Sequence, residues 1–118
     1  MSTSEIATVL AWHDALNDRD IDTLVKLSSD DIEIADADGA AQGEAALRDW
    51  AGGVTGTVTV GEMYVRGGRV VFEQTLDDGT VQASAFRVVH DRVTSVFRHN
   101  SLAEALAATG LCEEDLDA

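Results

Sequence analysis

Near Thr55 the hydrophobic period of this chain changes to two, and that change limits the folds open to it. Before it, apolar residues recur mostly at helical intervals; after it they alternate over four successive segments, as pleated strands require. Ile6, Val9, Leu10, His13 and Leu16 fall on one stripe with Trp12 beside them, and Ser2 with Glu5 has capping-box spacing for a helix start. Asn17-Asp18-Arg19-Asp20 breaks the stripe, and Asp20 is placed to cap a short second helix that buries Ile21, Leu24, Val25 and Leu27. One strand then intervenes. Ile32 and Ile34 alternate with Glu33 and Ala35 before Asp36, and Asp38-Gly39 signals a turn. Residues 43–50 predict a third helix, ended by Gly52-Gly53.

Beyond the change, residues 57–65, 69–76, 81–89 and 93–100 read as four strands rich in Val and Thr. Gly67-Gly68, Asp78-Gly79 and His90-Asp91 separate them as hairpin turns, so the strands should form an antiparallel meander. Ser101 and Glu104 open a closing helix that Gly110 stops. Residues 1–110 are expected to form one domain, and 111–118 an acidic tail that frays. Helices followed by a meander give an α+β fold: a curved, mostly antiparallel sheet packed against N-terminal helices and enclosing a cone. With a two-residue turn at Asp78-Gly79, Phe72, Leu76, Val81 and Ala85 would lie on the sheet's far side. That second apolar face needs a cover, and a two-fold homodimer would supply it.

Composition removes several functions. Twenty-two acidic against eight basic residues give a net charge of −14, which argues against nucleic acid and anionic membrane surfaces as partners. The first residues lack a signal-peptide pattern, no stretch approaches membrane-spanning length, and the single Cys112 fits a reducing compartment, so a cytoplasmic location is expected. Three scattered histidines predict no metal site. The glycine pairs lack the pattern of a phosphate loop, so no cofactor is expected.

The run Leu16-Asn17-Asp18-Arg19-Asp20-Ile21-Asp22, then Leu27, Asp30-Asp31, the helix at 43–50 and the closing meander, resembles nuclear transport factor 2-like proteins. That group includes ketosteroid isomerases and SnoaL-like polyketide cyclases, and the resemblance implies their cystatin-like cone. It implies a small apolar, polyketide- or steroid-like ligand, bound without a cofactor. Aligned without a gap from Trp12 to Asp38, Asp36 falls on the isomerase's general base, which moves a proton between carbons. Trp12 and Ser84 fall on its two oxyanion donors, and Trp12, Trp50 and Phe86 on pocket-lining positions. Indole N–H and hydroxyl donate hydrogen bonds, but without the acidity of the isomerase's tyrosine and protonated aspartate. The fold hosts several chemistries and non-catalytic binding modules, so the implied activity is an isomerase, cyclase or dehydratase, with a non-catalytic module as the alternative.

Two further acids and bases enter by register. A two-residue turn at Asp78-Gly79 would set Glu73 opposite Ser84 and give the cavity a second carboxylate; the other reading leaves Glu73 solvated. At the last strand, a two-residue turn at His90-Asp91 aims His99 inward and a three-residue loop aims Arg98 inward. The family alignment favours Arg98. There it could face Asp36 or hold a substrate anion, whereas His99 would bring a group that titrates near neutrality.

Overall fold

The computed structural model describes residues 2–36, 39–53 and 58–116, with side chains from Glu5 onward. The Ser2 cap, Asp38 of the Asp38-Gly39 turn, and positions 55–57 where alternation begins lie outside the described residues and side chains. Helix α1 (Ser2–Asn17) and helix α2 (Ile21–Lys26) meet at a bend where Arg19 has a φ of 59°. Asp20 caps α2, its carboxylate accepting from the Thr23 N–H at 3.3 Å and the Thr23 hydroxyl at 2.7 Å. There follow β1 (Ser28–Asp36), β2 (Gly39–Gln42), α3 (Glu44–Gly53), β3 (Val58–Arg66), β4 (Arg69–Leu76), β5 (Val81–Val89), β6 (Arg92–His99) and α4 (Leu102–Thr109).

The strands form one six-stranded sheet in the order β2-β1-β6-β5-β4-β3. Among the described residues only β1 and β6 run parallel, so the early strand is tied to the late meander and the helices are folded onto the sheet between them. The four-residue β2 was not expected. Its Gly-Ala-Ala-Gln sequence is exposed throughout and offers no alternation to read.

Helices α1, α2 and α3 pack on one face, here called inner, against Ile32, Ile34, Met63, Val65, Val70, Phe72, Phe86, Val88, Val93 and Val96. The outer face carries Tyr64, Val71, Ala83 and Ala85, and α4 covers part of it through Ala105, Leu102 and Leu106. Ser101 caps α4 by accepting from the Glu104 N–H at 3.2 Å, and Gly110 ends it at φ 75°. The tail does not fray as far as Leu116. Leu111 is buried on the outer face, Leu116 bridges to Tyr64, and a 3₁₀ turn at Glu113–Asp115 lies between them. The chain's own C-terminal segment therefore supplies part of the cover that a second copy was expected to provide.

One hairpin departs from expectation by a single residue. The Leu76 N–H donates to the Thr80 carbonyl at 2.8 Å, so Asp77, Asp78 and Gly79 form a three-residue loop, with Gly79 at φ 86°. Because side chains alternate, that residue flips every assignment on β4. Phe72 pairs with Ser84 and is fully buried on the inner face, while Glu73 pairs with Ala83 and is exposed on the outer face. Val81 and Ala85 remain outer, as expected; Phe72 and Leu76 do not.

Candidate functional site

The inner face of β1, β4, β5 and β6, opposite α1 and α3, carries the polar side chains that the helices fail to satisfy. Asp36 continues the inward phase of Ile32 and Ile34 to the end of β1, where it is half-buried. Next to it on β6, Arg98 points inward, directly across from Ser84 on β5. It reaches this place without the three-residue loop that was expected to aim it inward. His90 and Asp91 form a two-residue turn with φ of 52° and 62°, and the register then slips by one beyond the Arg87–Val88 step. Val93, Val96 and Arg98 consequently face inward, while Phe97 and His99 face outward; His99 lies beside Ala83 in the row that contains Glu73.

Aromatic rings form the floor. Trp12 stacks near Trp50 at 6.0 Å and meets Phe86 edge-on at 5.3 Å, Phe86 stacks on Phe72 at 5.3 Å, and His13 meets Phe72 edge-on at 5.5 Å. The Arg98 guanidinium lies over the Trp50 ring, 4.9 Å from its centroid, so the protein supplies the cation for that π-face. Burial lowers the Arg98 pKa, and the neighbouring Asp36 charge works in the opposite direction. Burial, with Arg98 adding to it, brings His13 down from 6.5 to about 4 against the opposing effect of Asp14, so the imidazole is neutral at pH 7. His13 Nδ1 faces the Asn17 amide at 3.5 Å, which fits a packing residue held by a hydrogen bond.

The two positions that align with oxyanion donors are otherwise engaged. The Trp12 indole N–H donates to Ser28 Oγ at 2.8 Å, and that hydroxyl donates to the Leu24 carbonyl at 2.8 Å. The Ser84 hydroxyl donates to Gln74 Oε1 at 2.7 Å. Reading the sequence missed Gln74 and Gln82, which pair across β4 and β5 on the inner face. Correct phasing from Phe72 would have found Gln74 two residues further along the same face.

Four buried polar atoms on or against this face have no hydrogen-bond partner: His13 Nε2, Gln74 Nε2, Gln82 Oε1 and Arg98 Nε. Among the described residues Arg98 makes no ion pair within 4 Å. Buried polar atoms are nearly always satisfied in folded proteins, so these call for partners other than the protein's own groups, an ordered water or a bound molecule. Among the described residues no group of three or more His, Cys, Asp or Glu is gathered that could hold a metal ion.

The outer face has its own recesses. Clefts of about 220, 410 and 370 Å³ gather round Phe97, which is 37% exposed. Arg69 and Arg87, paired across β4 and β5, line the first of them. No helix among the described residues is long and apolar enough to cross a membrane.

Three helices on one face of a six-stranded, mostly antiparallel sheet give the nuclear transport factor 2-like fold that solved structures similar to this chain share. Residues 9–101 match the SnoaL-like domain, and the chain belongs to that family. An LEH-like epoxide hydrolase from M. tuberculosis is similar over 92% of this chain and 96% of its own, with 22% identity and a TM-score of 0.72. A Catenulispora acidiphila protein with a ketosteroid isomerase-like fold, solved with trimethylamine, is 23% identical over 91% of this chain and 95% of its own, with a TM-score of 0.67. An NTF2-like protein of unknown function from Cytophaga hutchinsonii is 15% identical over 80% of this chain and 88% of its own, with a TM-score of 0.70. At these identities the likeness establishes the fold. No curated protein matches the chain by sequence.

Proposed function

We propose that this chain binds a small apolar, polyketide- or steroid-like molecule against the inner face and moves a proton on it, with Asp36 as general base and no cofactor. The observation that carries the reading is Asp36 beside Arg98, whose Nε is buried without a partner, above a floor of Trp12, Trp50 and Phe86. An apolar floor under a few polar groups is the usual make-up of a small-molecule site. The reaction class is isomerisation, cyclisation or dehydration, each of which begins with removal of a proton next to a carbonyl. Turnover of enones or polyketide-like carbonyl compounds should appear in a kinetic screen and vanish in Asp36→Asn. A variant that turns over as fast as the parent chain would remove Asp36 from the reaction.

A second reading, a non-catalytic ligand-binding module, is favoured by one observation. The Trp12 N–H and Ser84 O–H, at the positions of the family's oxyanion donors, are already spent on Ser28 and Gln74. Under either reading we place a homodimer contact on the outer face round Phe97 and Val89, where large apolar side chains are exposed beyond the reach of α4.

A further inference from the structure

We propose that the recess on the α4 side of Phe97 is a second binding site, which takes a small monocarboxylate with a flat apolar body. It lies on the outer face and is independent of the inner-face reading above. Three of the chain's eight basic residues fall in one row across the sheet: Arg66 on β3 pairs with Arg69 on β4, and Arg69 pairs with Arg87 on β5. Like charges set directly opposite one another on neighbouring strands are destabilising, so such a row calls for negative charge against it. The chain answers for one member. Arg66 lies 3.7 Å from the Asp115 carboxylate and donates to the Gly110 carbonyl. Among the described residues neither Arg69 nor Arg87 forms an ion pair within 4 Å, in a chain with 22 acids to draw on.

The two arginines left over line one recess of about 220 Å³, together with Ala85, Phe97 and Ala108. Directly opposed residues on adjacent strands have Cβ atoms about 5 Å apart, so two guanidinium forks there are within reach of a single carboxylate, whose geometry they match. The exposed Phe97 ring offers a flat surface to an apolar body. At roughly 30 Å³ for each water-sized group the recess holds about seven of them, the size of a single-ring acid and far less than a steroid. Charge sets the number of carboxylates at one. The register puts Ser95 between Arg87 and Glu33, and Asp31 and Glu33 line the next cleft, where a second negative charge on the ligand would be repelled.

The probe is benzoate, followed by proton–nitrogen correlation spectra of the full chain that include the arginine Nε–H groups. At millimolar concentration it should move the Arg69 and Arg87 Nε–H signals and the amides of Ala85 and Phe97, and leave the indole signals of Trp12 and Trp50 in place. Benzyl alcohol, of similar shape but uncharged, and inorganic phosphate, which has no apolar body, should each bind at least roughly tenfold more weakly. Arg69→Gln and Arg87→Gln, both at exposed side chains, should each weaken benzoate binding by roughly tenfold or more. Arg92→Gln, which removes the same charge outside the recess, should leave it unchanged. Equal weakening by Arg92→Gln would reduce the effect to net charge and overturn the site. Phosphate binding as tightly as benzoate would overturn the monocarboxylate class, and no binding, or shifts at Trp12 and Trp50 alone, would overturn the recess as the place. Sedimentation of the same samples tests a second copy as the occupant: benzoate that drives a dimer toward monomer would mean that Arg69 and Arg87 face a partner's acid, and overturns the small-ligand assignment.

Discussion

The two faces of the sheet bury similar strands by different means, and the contrast separates the parts of this molecule that hold it together from those that call for a further partner. The inner face meets three helices and is packed with large rings, yet it leaves polar atoms of Gln74, Gln82 and Arg98 unpartnered. The outer face is lined by small residues such as Ala83 and Ala85, meets one short helix and the C-terminal segment, and leaves Phe97 and Val89 exposed. Unsatisfied polar groups deep in a packed interior call for a water or a bound molecule as partner, whereas shallow burial with exposed apolar groups is the mark of a contact surface.

Truncation tests the contrast most strongly. Phe72→Ala should destabilise the chain by about 3 to 5 kcal/mol, whereas Phe97→Ala should cost under about 1 kcal/mol, both read from urea denaturation. Equal losses would mean that the faces do not differ in the way described.

Acid comes next. In the folded chain His13 titrates at about 4 and in the unfolded chain near 6.5, so the unfolded state takes up the proton first as pH falls. The His13 contribution is intact above about 6.5 and is lost between there and about 4, to the extent of roughly 3 kcal/mol. His13→Gln should flatten the stability profile in that window relative to the parent chain. A difference between the two profiles that does not change with pH would place the imidazole in water.

The cover of the outer face can be loosened separately. Ser101→Ala removes the α4 cap and should cost about 1 kcal/mol. Amide exchange should quicken in α4 and beneath it at Tyr64 and Val71, with little change at Ile32 or Val96. Phe97→Asp should have the smallest effect on folding, within about 0.5 kcal/mol, while sedimentation shifts toward monomer at micromolar concentration. An unchanged sedimentation coefficient would move the dimer contact elsewhere or remove it.

Much of this was legible from residue order. The Asp20 and Ser101 caps and the Gly110 stop are local signals, and each stands where the sequence puts it; the α1 stripe holds at Val9, His13 and Leu16, whereas Leu10, expected on it, is exposed. Asp77-Asp78-Gly79 was misread because two- and three-residue hairpin loops both welcome a closing glycine, and the choice between them depends on packing further along the strands. That single residue placed Glu73 in the interior and Phe72 outside it, and it concealed Gln74. Strand β2 left no trace because small exposed side chains carry no periodicity. Arg98 was placed correctly, although the turn was expected to be longer than it is; the slipped register on β6 makes up the difference.

That slip has a reach beyond its own hairpin. The half of β6 nearest His90-Asp91 takes its phase from the surface turn and meets the start of β1 at Ser28–Val93, whereas the half bearing Arg98 pairs with the end of β1, Ala35 with Phe97 and Ile34 with Val96. The two halves are out of step by one residue, and the irregularity between them works as a clutch. The identity of the side chain offered to the interior, Arg98 and not His99, therefore goes with the pairing to a strand from the opposite end of the chain.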